Sequence, residues 1–94
     1  MIGAFVLVRT YSAGVHCGTL AEQSGTAALL RDARRIWRWR GANSLHEMAV
    51  GGAAMGWTRI SGPVPEILLL QAVEIIPCSD AARKNLQQSR WPKE

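Results

Sequence analysis

A short stretch rich in arginine and tryptophan, Arg34–Arg40, carries the most distinctive chemistry of the sequence. Guanidinium groups bind phosphate oxygens through paired hydrogen bonds, and indole rings stack on the faces of bases. Both groups together are what a protein needs to hold a phosphorylated ring compound. The candidate phosphate-binding residues are Arg34, Arg35 and Arg38, and the candidate stacking residues are Trp37 and Trp39.

The indoles of this stretch also have a purely structural interpretation. On a β-strand, side chains two residues apart share a face, so Trp37 and Trp39 would point the same way. They could then pack in the core or at a subunit interface, with Arg38 and Arg40 in solvent on the other face. The sequence leaves packing and ligand stacking open.

A second candidate region, Arg9–Gly14, follows the N-terminal apolar run. It supplies one cation, three hydroxyl groups and a flexible glycine, and backbone amides and hydroxyls in such a segment can surround an anion. The alternative is a hairpin turn capped by its own hydroxyl groups. Arg9 is a further candidate for phosphate binding, Tyr11 for base stacking, and Ser12 and Asn43 for hydrogen bonding.

The residue types that usually perform catalysis or bind metals do not form a recognisable set. His16 and His46 are far apart, and with only Asp32 and Asp80 as aspartates no Ser/His/Asp arrangement can be argued. No Cys/His spacing supports a zinc site, and Cys17 on a strand is expected to be a small buried hydrophobe. We therefore expect a non-catalytic protein without a cofactor or a metal.

Composition and charge favour one small domain that binds an anion. The chain has 94 residues, which we assign to a single domain, 1–94. Nine of its eleven basic residues are arginine, five of them between Arg31 and Arg40, so the formal net charge of +4 is concentrated in one place. Hydrophobic residues make up 48% and charged residues 19%, which leaves apolar surface for a homo-oligomer interface.

Neither a membrane span nor a signal peptide is indicated, because no window approaches 18 consecutive apolar residues and the N-terminal apolar run lacks a basic leader. We therefore expect the protein in the cytoplasm. In that compartment Cys17 and Cys78 are expected to be free thiols.

Alternating and β-branched runs predict five or six strands. The run Thr26–Arg40 also has helical spacing, so a basic amphipathic helix remains the alternative there. Pro63 and Pro65 argue against a central strand at that point, since each removes a ladder donor. The predicted strands are Ile2–Thr10, Val15–Glu22, Thr26–Leu30, Arg35–Trp39, Thr58–Ser61 and one apolar strand over Glu66–Ile76.

Two helices are predicted from their capping signals. Ser44 and Glu47 have the spacing of a capping box and begin a short helix, which the glycines near Gly51 end. Ser79-Asp80 is a good N-cap for a helix over Ala81–Arg90. The predicted fold class is α+β, with an antiparallel sheet, a short middle helix and a C-terminal helix.

Several stretches of the chain resemble a family of small uncharacterised proteins encoded by tailed phages and prophages, a domain of unknown function. The likeness spans about Val8–Ala82, and the Gly51–Gly56 passage departs from it. The stretches that carry it are Val8–His16 with Gly18 and Leu20, Ala33–Trp37 with Trp39, Gly41 and Ala42, and Glu74–Cys78.

The resemblance implies a phage accessory protein expressed in the host bacterial cytoplasm. Many such proteins counter host defence, some as oligomeric sponges that sequester cyclic or ADP-ribose-like nucleotide signals. Together with the arginine and tryptophan chemistry, this leads to an anti-defence protein that sequesters a phosphorylated nucleotide-type signal. The alternatives are a nucleic-acid-binding accessory protein and an inhibitor that docks on a host defence protein.

Overall fold

The fold is α+β, as the sequence predicts, with one antiparallel sheet and two helices. The computed structural model describes residues 1–39, 42, 44–54 and 58–88. The strands are β1 (Phe5–Thr10), β2 (Val15–Ser24), β3 (Ala27–Arg38), β4 (Arg59–Ile60), β5 (Val64–Leu69) and β6 (Ala72–Pro77), and the helices are α1 (Leu45–Gly51) and α2 (Asp80–Gln88).

The long strand β3 organises the sheet. One edge of β3 pairs with β2, which continues through β1 to β6 in the order β4-β3-β2-β1-β6. The other edge is shared, because β5 pairs with Ala28–Ala33 and β4 pairs with Ile36–Arg38. The prolines at Pro63 and Pro65 therefore lie at or beside an edge strand, where a missing N–H does not interrupt the sheet.

The sheet is strongly curled, because its two ends are joined by a two-residue link, Leu70-Gln71, between β5 and β6. Three Cα steps span at most about 11 Å. In a flat sheet β5 and β6 would stand four strand spacings apart, about 19 Å. The link is closed by hydrogen bonds, since Ala72 N–H donates to the Thr26 carbonyl (2.9 Å) and Tyr11 N–H to the Gln71 carbonyl (3.0 Å).

Each face of the curled sheet has its own apolar cluster. The helix-side face carries Leu7, Val15, Cys17 and Ile36, which pack with Met48 of α1 and Leu86 of α2. The open face has no helix residue in its cluster, yet its members are almost completely buried because the sheet curls over them. The buried residues of this second cluster are Val6, Val8, Leu20, Ala28, Leu30, Ala33 and Leu69.

The two predicted helix starts are confirmed. Ser44 caps α1, and its hydroxyl accepts from the Glu47 N–H (3.3 Å). The Ser79 hydroxyl accepts from the Ala82 N–H (3.1 Å) at the start of α2. The helices contact each other directly, and neither is long and apolar enough to cross a membrane, a finding that applies to the residues described.

Two predictions about strand breaks are wrong. The strand is not broken between Leu30 and Arg35. Asp32 adopts a positive φ of 51° and forms a bulge inside one continuous β3. Conversely, the apolar run Glu66–Ile76 is two strands rather than one. It turns at Leu70-Gln71 because its two halves pair with β3 and β1 at opposite ends of the sheet.

Candidate functional site

The bulge at Asp32 determines which arginines of β3 face the open side of the sheet. Gly18 of β2 stands opposite the bulge, with no register partner of its own in β3. A Cβ at this glycine would lie 3.0 Å from the Arg31 carbonyl oxygen and 3.1 Å from the Ala33 Cα. Because one residue is added to β3, the alternation of faces is shifted by one position from Ala33 onwards.

After the bulge, Arg34 and Arg35 lie on opposite faces. Arg34 pairs with Cys17, which belongs to the helix-side cluster. Arg35 pairs with His16, and His16 pairs with Val8 of the open-face cluster. Directly paired residues share a face, so His16 and Arg35 extend the open-face cluster with polar groups.

Arg34 is a structural residue at the end of α2. Its side chain is only 9% exposed, and Nη1 donates to the carbonyls of Leu86 (2.8 Å) and Gln87 (3.0 Å). Nε donates to the Ser61 carbonyl (2.7 Å). A guanidinium at a helix C-terminus satisfies carbonyls that lack partners in the helix and complements the helix dipole. The structure therefore separates Arg34 from Arg35, the candidate phosphate-binding residue that follows it on the opposite face.

Arg35 and His16 form the central pair of the open face. Nε of Arg35 donates to Nε2 of His16 at 3.2 Å, so the imidazole is neutral and carries its proton on Nδ1. Burial, and secondarily the positive charge of Arg35, lower the pKa of His16 to about 4. His16 is 1% exposed, and its Nδ1 has no hydrogen-bond partner within the described part of the chain.

A cleft of about 230 Å³ lies at this pair. Its lining contains no acidic residue, so the charge of Arg35 is not neutralised there. By contrast, Arg9 and Arg31 are paired with Glu74 (2.7 Å) and Glu66 (3.3 Å). The lining residues are His16, Ala33, Arg35, Ser61, Val64 and Ile67.

Ser61 lines the cleft and is hydrogen-bonded to the backbone of β3. Its hydroxyl accepts from the Arg35 N–H (2.9 Å) and donates to the Gly62 carbonyl (3.1 Å). The Ser61 N–H donates to the Arg35 carbonyl (2.9 Å). These bonds continue the β3 edge across the gap between β4 and β5, so both backbone polar groups of Arg35 are hydrogen-bonded to Ser61.

Trp37 and Trp39 do not point the same way, and the prediction that they share a face is wrong. The register between β3 and β4 shifts between Ile36 and Arg38, which adds a residue to β3 for a second time. Trp39 consequently packs against the helix-side cluster together with Ile36, whereas Trp37 is 58% exposed. The guanidinium carbon of Arg38 lies 5.9 Å from the centroid of the Trp37 ring.

None of the candidate residues at the β1–β2 turn lines the His16 cleft. Arg9 pairs with Val15, so it lies on the helix-side face, opposite the face of Arg35. The Ser12 hydroxyl donates to Oε1 of Gln71 (3.1 Å), and Tyr11 is 82% exposed. Ser12 lines a second cleft of about 330 Å³, and Ile67 lines both this cleft and the His16 cleft. Asn43 lies outside the described residues.

The two cysteines are free, and neither has the properties of a nucleophile. Burial raises the pKa of Cys17 to about 12 and that of Cys78 to about 11. The thiolate, which is the reactive form, is therefore scarce near neutral pH. The expectation that Cys17 is a buried small hydrophobe is confirmed.

Comparison with known families gives one match. Residues 3–86 match the family described as a domain of unknown function, DUF6948. The chain belongs to that family. No curated protein and no solved structure matches the chain.

The DUF6948 match includes every residue of the His16 cleft. Sequence reasoning found Arg35 but missed His16 and Ser61 as members of one site. The signal for His16 was its place in β2 directly before Cys17, which sets it on the face opposite a buried residue. Ser61 gave no such signal, because its position depends on the pairing of β4 and β5 with β3.

Proposed function

We propose that this protein binds and sequesters a phosphorylated small molecule of nucleotide type without transforming it. The observation that carries the proposal is the Arg35 guanidinium in a cleft lined by no carboxylate. Within the described residues, its one side-chain hydrogen bond uses Nε, so its terminal nitrogens remain available for a phosphate.

The stretch of β3 beyond Arg35 supplies groups for the rest of such a ligand. Trp37 follows two residues later in β3, so the two Cα atoms are at most about 7 Å apart. Its exposed ring offers a surface for a base, and Arg38 beside it adds positive charge. A phosphate at Arg35 and a base at Trp37 would thus be held by one strand.

The absence of a catalytic role is part of the proposal. Among the described residues, His16 is buried and neutral, and both thiols are held in their protonated form by burial. A sequestering protein acts by lowering the free concentration of its ligand, so it requires affinity rather than chemistry. The resemblance to phage and prophage proteins makes a host defence signal the ligand to test first.

Self-association is also proposed, because apolar side chains remain exposed on β5 and β6. Leu68 is 57% exposed and lines both the second cleft and a further cleft of about 460 Å³. A protruding side chain between two clefts can be self-complementary about a two-fold axis. We expect light scattering to give a mass above that of the monomer, and Leu68→Asp to restore the monomer mass.

Isothermal titration against 5′-AMP, ADP-ribose and cyclic oligonucleotides tests the binding proposal. We expect at least one of them to bind at micromolar concentration, and Arg35→Ala to weaken it about ten-fold or more, since a hydrogen bond to a charged group contributes about 1.5–3 kcal/mol. Trp37→Ala should weaken it less. The matched control is Arg31→Ala, which removes an ion-paired arginine from the same strand.

Three outcomes would contradict the binding proposal. No binding to any member of the panel at micromolar concentration is the first, and equal losses for Arg35→Ala and Arg31→Ala are the second. The third is recovery of a chemically altered ligand, by chromatography, after incubation with the protein. A steep loss of affinity for polynucleotides with rising salt would instead favour the nucleic-acid-binding alternative.

A further inference from the structure

Among the residues that the structure describes, Nδ1 of His16 is the one buried side-chain polar atom without a hydrogen-bond partner. Nε2 is occupied by Arg35, which can only donate, so Nδ1 carries a proton and is a hydrogen-bond donor. A buried donor without a partner costs about 1–3 kcal/mol of stability. Such a donor beside a cleft indicates that a ligand supplies the acceptor.

The cleft beside His16 presents donors and apolar side chains. Arg35 and His16 both donate, and the Ser61 hydroxyl already donates to the Gly62 carbonyl. Its volume of about 230 Å³ is below the lower limit of about 300 Å³ for sites that hold whole small molecules. The cleft therefore accommodates one acceptor group of a ligand, while the remainder of the ligand lies outside it.

We propose that this cleft receives the terminal phosphoryl group of a phosphomonoester, bound by the terminal nitrogens of Arg35 and by Nδ1–H of His16. This inference rests on the proposed function and names the ligand class. A phosphomonoester offers three terminal oxygens and nearly two negative charges at neutral pH. A phosphodiester offers two such oxygens and one charge, and its second substituent would have to leave a cleft sized for one group.

His16 has two roles in this arrangement. Its Nε2 orients the Arg35 guanidinium, and its Nδ1–H binds the ligand. Nδ1 is buried in the structure, so the ligand is reached by rotation of the ring about a side-chain torsion that is broad in histidine. Because the proton is already on Nδ1, no proton transfer is needed when the ligand binds.

The first experiment compares two ligands that share one base and ribose. Wild-type protein is titrated with 5′-AMP, a monoester, and with 3′,5′-cyclic AMP, a diester, and inorganic phosphate is used as a competitor. We expect 5′-AMP to bind about ten-fold more tightly or better, as for one additional hydrogen bond to a charged group. Inorganic phosphate should displace 5′-AMP.

Two substitutions of His16 separate its roles. His16→Gln keeps an acceptor near the Nε2 position for Arg35 but removes the donor at Nδ1. His16→Asn keeps an amide donor near the Nδ1 position but removes the acceptor at Nε2. We expect His16→Gln to abolish the preference for 5′-AMP over cyclic AMP, and His16→Asn to retain part of it.

A spectroscopic measurement on the wild-type protein does not depend on how the variants fold. In ¹⁵N-correlated spectra the His16 ring should be neutral with its proton on Nδ1. Addition of inorganic phosphate should shift the Nδ1–H resonance, while the resonances of His46, which is exposed in α1, should not move. An Nδ1–H resonance that does not respond to any phosphate ligand would overturn the inference.

The outcomes distinguish this inference from the proposed function. Equal affinity for 5′-AMP and cyclic AMP, with both lost in Arg35→Ala, would overturn the phosphomonoester inference and leave the proposed function standing. A His16 response to inorganic phosphate without binding of any nucleotide would support the phosphoryl site and contradict the nucleotide part of the proposed function.

Discussion

The two faces of the sheet use neighbouring arginines in opposite ways. On the helix-side face, Arg34 is buried and its donors are taken by the Leu86, Gln87 and Ser61 carbonyls. On the open face, Arg35 has a neutral histidine as its side-chain partner and lines a cleft. The sequence shows where the arginines are, but the hydrogen-bond partners on each face determine whether an arginine has a structural role or is available to a ligand.

The largest expected effect concerns the stability of the helix-side face. Arg34→Ala should lower the free energy of unfolding in urea by about 3 kcal/mol, because it leaves several carbonyls near the end of α2 without donors. Arg34→Lys should recover only part of this loss, since an ammonium cannot match the planar set of donors. Arg35→Ala is the matched control and should lower it by less, about 1 kcal/mol, because among the described residues only the Nε2 acceptor of His16 loses its side-chain donor. Similar losses for both alanine variants would remove the contrast between the faces.

The second effect is a dependence of stability on pH that arises from the open face. The pKa of His16 is lowered from 6.5 to about 4, so the unfolded chain binds more protons than the folded protein between these values. Stability is therefore lost as the pH falls through this window. Between pH 7 and pH 5 we expect a loss of about 2 kcal/mol.

His16→Gln isolates the contribution of the imidazole to this pH dependence. Urea titrations of both proteins at several pH values give the difference, in which the carboxylates common to both cancel. The difference should change across the pH 4–6.5 window and be flat above it. A constant difference between pH 7 and pH 4 would show that His16 is not buried as a neutral ring.

The two tryptophans provide a third contrast, because the second bulge of β3 sends them to different environments. Trp39→Ala should lower the free energy of unfolding by about 2 kcal/mol, roughly half the effect of removing a fully buried tryptophan. Trp37→Ala should lower it by less than about 1 kcal/mol, since its ring is mostly exposed. Fluorescence quenching by acrylamide in single-tryptophan proteins checks the same assignment, with Trp37 the more accessible. Equal accessibility would contradict it.

Much of the fold could be predicted from the sequence because its signals are local. The Ser44 and Ser79 caps start helices through hydrogen bonds within one turn, and the β-branched N-terminal run forms β1. The α+β class follows from these elements. What could not be predicted depends on contacts between distant segments, such as the division of one β3 edge between β4 and β5.

The candidate site was predicted less well than the fold, for a specific physical reason. Simple alternation along β3 assumes an uninterrupted strand, but bulges at Asp32 and near Trp37 shift the faces twice. The sequence therefore provides no reason to distinguish Arg34 from Arg35 as phosphate-binding candidates, although their surroundings in the structure differ. Arg9 was grouped with them by its position after an apolar strand, yet the register sets it on the other face.

The smallest expected effect on stability tests the bulge at Asp32, which sets which of Arg34 and Arg35 faces the cleft. Gly18→Ala should lower the free energy of unfolding by about 1.5 kcal/mol, because its Cβ would meet two backbone atoms of β3 that cannot move independently. Gly51→Ala, at the last residue of α1 and with no atom within 4 Å of the added Cβ, is the matched control and should be neutral or stabilising.

The same substitution should also weaken the binding of 5′-AMP, even though Gly18 does not line the cleft. If the added methyl displaces the bulge, the alternation of faces after Ala33 is disturbed and Arg35 loses its alignment with His16. A crystal structure of Gly18→Ala with the bulge retained and an unchanged distance between Arg35 Nε and His16 Nε2, together with reduced affinity, would contradict this link. Loss of the bulge and of affinity together would establish that the placement of Arg35 on the open face depends on the bulge.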